Sequence, residues 1–347
     1  MVTLNVSEDQ DFEQLYYFQD RDSGLKAIIV IHNTKLGPAL GGCRLWEYVS
    51  EEDAIVDAIR LAQGMTYKCA IAGLPYGGGK AVVMGDPSKG NHKLLFRALG
   101  RFINTLQGRY ITGIDLGTTV ADMDMVKMDT NFVTDISGSL GATGNFTAEM
   151  TAYGVFLSIQ ASLNCAMSSK TLKDRIVAVQ GLGKVGYFLC RYLKQAGAQL
   201  IVTDIDKLRV EKVVEEFDAK PVQPNDIYNQ ICDVFSPCAL GGVLNDVTLA
   251  QLRCAIVAGA ANNQLAEPRH GEELQKLGIL YAPDYVINAG GIIVTASELT
   301  NRNAAHAKQN VSKIDQTLRK VFDHALAQGI PTSTAADQLT EQILATP

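Results

Sequence analysis

Residues 175–180 read RIVAVQ and lead directly into Gly181-Leu182-Gly183-Lys184-Val185-Gly186. A helical pattern follows over 187–193. A second apolar run, 200–203, then ends in Asp204, 23 positions after Gly181. The G-x-G-x-x-G string is weak by itself. Set between an apolar strand and a helix, and followed by a second strand that closes on an acid, it specifies a βαβ unit that holds a dinucleotide. Gly181 permits the tight turn, Gly183 lets backbone approach a pyrophosphate, and Gly186 lets helix and strand pack closely. The free N–H groups of the helix start, around Lys184 and Val185, face the phosphates. Asp204 suits the ribose 2′- and 3′-hydroxyls and repels a 2′-phosphate, so NAD is expected over NADP, with Asp204→Ser narrowing the gap. Lys207 and Arg209 read as solvated helix residues. A glycine-rich turn without a ligand is the plain alternative.

The rest of the chain repeats this alternation of short apolar runs and helical patterns. Strands are expected at 25–32, 80–85 and 109–112, with helices from Ser50 to about Gln63 and over 92–106. Ser50-Glu51-Glu52-Asp53 resembles a capping box. Residues 138–145, GSLGATGN, form a small, glycine-rich hinge candidate. A long helix follows over 147–167, then strands at 175–180, 199–203, 233–235, 254–258 and 279–281. Helical periodicity returns over 288–328, and a last helix starts near 334. This is an α/β chain of two domains with mostly parallel sheets. Residues 1–135 form the first domain, to which a C-terminal helix at 331–347 returns. Residues 136–330 form the Rossmann domain.

The 347 residues are 47% hydrophobic and 20% charged, a globular composition. The 31 Lys+Arg against 37 Asp+Glu give a net charge of −6, so nucleic acid and anionic membrane are not expected partners. No apolar run reaches the ~18 residues of a membrane span. The acidic opening segment lacks the pattern of a secretory signal. Seven dispersed cysteines without C-x-x-C read as reduced, buried thiols of a cytoplasmic protein. The five histidines show no zinc-ligand spacing, so chemistry without a metal is expected.

Two lysines have unusual surroundings. Lys68 sits in MTYKCA and Lys80 follows Gly77-Gly78-Gly79 at a strand start. Desolvation lowers a lysine pKa and makes it a proton carrier, and three glycines would let a substrate approach the backbone. Taken alone, each lysine reads more readily as a snorkelling surface residue. A phosphate-loop reading fails, since Ala81 follows Lys80. Asp115 stands between Gly113 and Gly117 after a strand end, where α/β sheets build sites. An ordinary turn acid is the alternative.

The segments LGPALGGCRLW, GMTYKCA, GGGKAV, GRYITGIDLGTT, TAYGVF, VAVQGLGKVG, IVTDID, FSPCALGG, VAGAANNQL and YAPDYVINAGG closely resemble, in order and spacing, the amino-acid dehydrogenases that act on glutamate, leucine, phenylalanine and valine. The resemblance runs from about Ser23 to the C-terminus and is nearest to the leucine and phenylalanine types. It implies NAD-dependent reversible oxidative deamination of an L-amino acid to the 2-oxo acid and ammonia, by a homo-oligomer whose interdomain cleft closes to exclude water. By that resemblance Lys68 binds the substrate carboxylate, Lys80 is the general base, and Asp115 holds the amino group. Asn262 and Asn288 orient substrate and nicotinamide. Thr147 or Thr151, together with Cys238 and Ala239 after Pro237, match cofactor-contacting positions.

The resemblance also bears on the side chain. Leu40, beside Gly41, replaces the lysine of glutamate enzymes, and a carboxylate facing Leu40 would be unpaired, so an apolar substrate is expected. Gly77, Gly113 and Gly291 would line the pocket with little bulk. Gly113→Ala, by filling a wall, is expected to shift preference toward aliphatic substrates. Ile292 is bulkier than the leucine-type valine, while Gly113 matches the phenylalanine type. A branched aliphatic substrate is therefore favoured and an aromatic one kept as the alternative. Ile114, the proline-less stretch 145–150 and Val294-Thr295 depart from the family pattern. A non-catalytic NAD-binding regulator is the rival from another class, opposed by the joint presence of Lys68, Lys80 and Asp115.

Overall fold

The computed structural model describes residues 11–346. The opening segment read above for a secretory signal lies largely outside them. The chain divides into two compact units: residues Met1–Gly144, Thr295–Asn303 and Ile343–Pro347, and residues Asn145–Val294 and Ala304–Gln342. The sequence reading sent the whole C-terminal helix to the first domain. Here that helix groups with the second unit as far as Gln342, and 295–303 group with the first.

The first unit contains β1 (Gln14–Asp20), β2 (Leu25–Asn33), β3 (Ala39–Leu40), β4 (Cys43–Trp46), α1 (Glu51–Ile71), β5 (Gly77–Met84), α2 (His92–Thr105), β6 (Tyr110–Ile111) and α3 (Val120–Lys127). The sheet order is β1-β2-β5-β3-β6, with β4 also on β5. The sheet is mixed, not mostly parallel: β1–β2 and β2–β5 run antiparallel, while β3, β4 and β6 pair in parallel. Side-chain alternation divides it into two faces. Leu25, Ala27, Ile29 and Ile31 of β2, with Ala81 and Val83 of β5, pack against α2 and α3. Ile28, Val30 and Val82 pack against Ala54, Ala58, Ile59 and Ala62 of α1. Ser50 caps α1 by accepting from the Asp53 N–H at 3.0 Å, as its sequence suggests, but the helix runs to Ile71 and therefore carries Lys68 in its last turn.

The second unit contains α4 (Phe146–Met167), β7 (Ile176–Gln180), α5 (Lys184–Gln195), β8 (Gln199–Thr203), α6 (Lys207–Phe217), β9 (Lys220–Pro221), β10 (Val234–Pro237), α7 (Asp246–Leu249), β11 (Ile256–Val257), α8 (Arg269–Lys276), β12 (Leu280–Tyr281), α9 (Asp284–Ile287), α10 (Gly290–Leu299), α11 (Ala304–Val311), α12 (Ile314–Gln328) and α13 (Thr332–Ala345). The unit division falls within α10. All pairings are parallel, in the order β12-β11-β10-β7-β8-β9. That is the doubly wound dinucleotide-binding order, whose switch point lies between β7 and β10. The turn at 181–183 and the segment Cys238-Ala239 leave those two strands side by side.

The seven cysteines are free. Cys43, Cys69 and Cys190 are buried, but Cys165 is exposed and Cys232, Cys238 and Cys254 are half-buried, so the expectation of uniformly buried thiols does not hold. No helix among the described residues is long and apolar enough to cross a membrane.

The glycines of β5 explain how the first sheet meets α1. A Cβ on Gly78 would lie 2.0 Å from the Thr66 N atom, and one on Gly77 would lie 1.9 Å from the Asn33 carbonyl oxygen. Gly64, inside α1, faces open space. Gly78→Ala is expected to cost about 3 kcal/mol or more, whereas Gly64→Ala should stabilise by ~0.5–1 kcal/mol through lost chain entropy. Urea midpoints of the two variants check both signs.

Candidate active site

Lys80 alternates with Gly78 and Val82 on β5, so it points to the face covered by α1. It is only 4% exposed. Residues 110–115 continue β6 as extended chain through bridges at Thr112 and Ile114. Tyr110 and Ile114 join the opposite core, which leaves Ile111, Gly113 and Asp115 on the α1 face. Lys80 and Asp115 thereby meet: Lys80 Nζ lies 3.0 Å from Asp115 Oδ2.

The same oxygen accepts from Arg44 Nε at 3.0 Å. Arg44 sits on β4 between core residues Cys43 and Leu45 and reaches Asp57 of α1 at 2.9 Å. Asp57 also accepts from Tyr48 Oη at 2.6 Å. The Asp115 N–H donates to Thr118 Oγ1, which in turn donates to the Cys43 carbonyl. Burial pushes the Asp115 carboxyl up, but the charges of Lys80 and Arg44 outweigh burial and bring it down to about 2. Its Oδ1 has no hydrogen bond among the described residues. Arg44 escaped the sequence reading, although it lies in a quoted motif. The available sign was a single cation within an otherwise alternating apolar strand.

The expected pocket glycines are filled by protein. A Cβ on Gly41 would stand 1.9 Å from the Gly79 carbonyl oxygen, and Gly77 abuts Asn33. A Cβ on Gly113 would lie 2.5 Å from Asp135 Oδ2 and 2.6 Å from Thr134 Oγ1. A Cβ on Gly291 would come within 3.2 Å of Thr147 and 3.3 Å of Thr151. On the Cβ side the volume released by these glycines is thus used for close packing, so Gly113 leaves no spare room in that direction. Leu40 is 1% exposed on β3. Lys68 and Ile292 are half-buried and Thr295 is buried.

Asp135 is an unforeseen acid. Its backbone is left-handed (φ +60°) and its side chain is buried. Oδ2 accepts from the Ile114 N–H at 3.0 Å, and the Asp135 N–H donates to Glu298 Oε1 at 3.1 Å. Burial, and then the nearby Glu298, push this carboxyl up.

In the second unit, Gly181 has φ +94° and its N–H donates to the Thr203 carbonyl. A Cβ on Gly186 would lie 1.9 Å from the Gly181 carbonyl oxygen, and one on Gly181 would lie 2.8 Å from Ala239. Gly183 begins α5 with no side-chain cap, and its missing Cβ has only Arg209 Nη1 within 4 Å, at 3.9 Å. The turn therefore has open space in front of uncapped N–H groups, which fits a pyrophosphate. Asp204 Oδ2 accepts from the Leu182 N–H at 2.6 Å and Oδ1 from the Asp206 N–H at 2.8 Å. Arg209, read as solvated, reaches over to 3.9 Å from Asp204.

Asn288 donates to Asn262 Oδ1 at 2.8 Å and to the Ala260 carbonyl, while its buried Oδ1 has no partner among the described residues. That orphan acceptor fits a ligand N–H. Gln264 and Asp284, also missed, hold the 259–264 loop: Gln264 donates to Gly259 and Ala261, and Asp284 accepts from the Gln264 N–H. Thr151 donates to the Thr147 carbonyl within α4. Among the described residues, one group has metal-like spacing: Asp246, His270 and Glu273. Arg269 pairs with both acids at 2.7 Å, and His270 Nδ1 accepts from the Glu267 N–H, so the cluster is a charge network without a free ligand set.

A doubly wound dinucleotide fold in one unit and a buried lysine–carboxylate pair in the other define a dehydrogenase-type α/β protein. The family model for the Glu/Leu/Phe/Val dehydrogenase dimerisation domain matches residues 13–132, and that for Glutamate/Leucine/Phenylalanine/Valine dehydrogenase matches 141–208 and 201–343. The leucine dehydrogenase of Geobacillus stearothermophilus is 54% identical, with 100% of this chain and 94% of the relative covered. The phenylalanine dehydrogenase of Caldalkalibacillus thermarum is 43% identical, with 99% and 94% covered. The crystal structure of L-tryptophan dehydrogenase from Nostoc punctiforme superposes with a TM-score of 0.84 at 43% identity, over 97% of this chain and 96% of that one. The chain belongs to the Glu/Leu/Phe/Val dehydrogenase family and is an amino-acid dehydrogenase by class.

Gly113→Ala is expected to lower the urea midpoint, and Asp135→Gly in the same chain to restore it in part, because glycine keeps the left-handed turn and removes one of the two close contacts, that of Thr134 Oγ1 remaining. Failure of that rescue would show that Asp135 is not what fills the site. The raised Asp135 carboxyl penalises the fold above its own pKa, and the penalty disappears as pH falls below the unfolded value near ~4. Asp135→Asn should therefore gain stability over wild type at about pH 8 and lose that gain by about pH 4. An equal gain at both pH values would exclude titration as its cause.

Proposed function

We propose that the protein catalyses the NAD-dependent, reversible oxidative deamination of an apolar L-amino acid, leucine or valine in type, to its 2-oxo acid and ammonia. The observation that carries this reading is the Asp115 carboxylate, ionised by Lys80 and Arg44 on one oxygen and open on the other. Asp115 Oδ1 accepts the substrate amino group and exchanges a proton with it. Lys80 first releases its ammonium proton to solvent and, as the free amine, takes the proton of the attacking water, returning it on reversal. Lys68 pairs with the substrate carboxylate, and Asn262 and Asn288 align the reactants with neutral amides. Leu40, Gly41, Gly77, Gly113, Ile292 and Thr295 surround the side chain. The 181–186 turn with Lys184 and Val185, Asp204, Thr151, Cys238 and Ala239 hold the dinucleotide, which when bound supplies the hydride acceptor. A homo-oligomer is supported by the match to a dimerisation domain. A cytoplasmic setting is supported by seven free thiols.

A second reading, an aromatic substrate, is favoured by the phenylalanine and tryptophan dehydrogenases at 43% identity. NADH oxidation with ammonia and the 2-oxo acids of leucine, valine, phenylalanine, tryptophan and glutamate decides between them. The branched aliphatic acids are expected to lead. A lead for 2-oxoglutarate would sink the apolar reading, and no turnover of any acid would favour the non-catalytic regulator. Lys80→Ala should lower kcat by ~10²–10⁴-fold while NADH binding, followed by fluorescence, stays unchanged.

A further inference from the structure

Cys232 and Cys254 stand just ahead of β10 and β11, neighbouring parallel strands of the second unit. The Ile231–Arg253 bridge and the Val234–Ile256 pairing share one register, and that register sets Cys232 beside Cys254. The Cys232 N–H donates to the Arg253 carbonyl at 3.2 Å, which ties the two backbones together there. Both side chains pack against the core of Phe235, Leu249, Val257 and Leu274, so they leave their segments on the same face. Neighbouring strands lie ~4.7–4.9 Å apart, inside the ~4.4–6.8 Å Cα separation that a disulfide bridges. Both thiols are free and half-buried, between the exposed Ile231 and Arg253 and the core. The two thiols also interact directly. Each is the first influence on the other's ionisation, pushing Cys232 up and Cys254 down, and backbone groups of Phe235 and Ile256 add to the stabilisation of the Cys254 thiolate. Burial pushes the remaining five cysteines up, the exposed Cys165 among them. Geometry thus supplies a pair, and the surroundings distinguish its two members.

We propose that Cys232 and Cys254 form a modification site, at which a hydroperoxide converts the two thiols to a reversible disulfide. The Cys254 thiolate attacks one peroxide oxygen and the O–O bond breaks. The hydroxide released takes up the proton lost by Cys254 and leaves as water, and Cys254 is oxidised to the sulfenic acid. The Cys232 sulfur then attacks the Cys254 sulfur. The S–O bond breaks, and its hydroxyl departs as water with the Cys232 proton. Two thiols thereby give two electrons to one hydrogen peroxide, and one disulfide and two waters result. The resolving thiol keeps oxidation of this edge reversible, where an isolated thiol would pass on to the irreversible sulfinic acid. The pair stands at the opening ends of its strands, whereas Cys238 and the 259–264 loop follow their closing ends, so its oxidation is separable from events on the 181–186 turn.

Treatment of the reduced, full-length protein with hydrogen peroxide tests this without turnover. Remaining thiols are alkylated, and the chain is unfolded, digested and mapped by mass spectrometry. Wild type should lose two of its seven thiols first, the peptides of Cys232 and Cys254 should appear joined with the loss of two hydrogens, and dithiothreitol should restore both. In Cys232→Ser the bond cannot form, and dimedone should trap Cys254 as its sulfenic acid. In Cys254→Ser, dimedone labelling of Cys232 should be slower by about tenfold or more, since the thiolate is the reacting species. Three results overturn the proposal. The first is that Cys232 and Cys254 are both still alkylated in wild type after Cys165 has been oxidised. The second is a bond from either residue to another cysteine, whether Cys238 or one in a second chain, the latter visible on a non-reducing gel. The third is dimedone labelling of Cys232 in Cys254→Ser as fast as that of Cys254 in Cys232→Ser. The wild-type map stands without the variants, so a failure of either serine variant to fold leaves the test decisive.

Discussion

Lys80 is a buried ammonium in the middle of a strand, and a buried charge without a partner costs several kcal/mol. Its partner, Asp115, must therefore be held on the same sheet face, and much of the first unit serves that requirement. The chain over 110–115 stays extended so that residues 111, 113 and 115 face α1. Thr118 fixes the Asp115 backbone against Cys43. Arg44 brings a second cation and is itself tied to α1 through Asp57, which Arg60 also pairs at 2.9 Å. The result is a carboxylate kept ionised and oriented before any substrate arrives, with one oxygen committed and one available.

The second unit orients its acid by a different route. Asp204 has no strong cation contact, since Arg209 stands at 3.9 Å. Two backbone N–H groups hold it instead, one from each of the loops after β7 and β8. These loops come close enough because Gly181 takes a left-handed turn and Gly186 has no Cβ to strike it. A charge partner fixes one acid and backbone geometry the other, in keeping with the tasks proposed for them. Proton exchange needs a charge that neighbours can retune, whereas ribose recognition needs acceptors that do not move.

The second unit was largely legible, because its strand–glycine–helix–strand–acid order is local and each glycine has a separate steric duty. The first unit was less so. The pair of Lys80 and Asp115 could be named by resemblance, but their meeting depends on strands 35 residues apart in sequence lying two places apart in one sheet. Arg44 was hidden because a lone cation in a short strand looks like a solvated edge residue. β1 was missed, and with it the antiparallel half of the sheet, because QLYYFQD mixes polar and aromatic residues without clean alternation. Gln264 and Asp284 hold backbone groups of the 259–264 loop, a duty that carries no mark in the sequence. The helix start at Ser50 was readable, but its end was not, because Gly64 reads as a stop while the helix continues through it to Ile71.

Gly113 shows why pocket volume is harder to read than charge. In sequence, a glycine beside a catalytic acid suggests room for a substrate. In the fold, the Asp135 carboxyl enters that space from one side and Gly141 yields it space from the other, with a Cβ there falling 2.4 Å from Asp135 Oδ1. Two glycines and one acid form a single packing unit, clamped by Glu298, which accepts from both the Asp135 and Gly141 N–H groups. The left-handed backbone at 135 tolerates aspartate better than a branched or bulky residue. The wall next to Asp115 is thus polar where a size argument makes it empty. Its character is set by a residue 22 positions downstream, so no reading confined to position 113 can reach it.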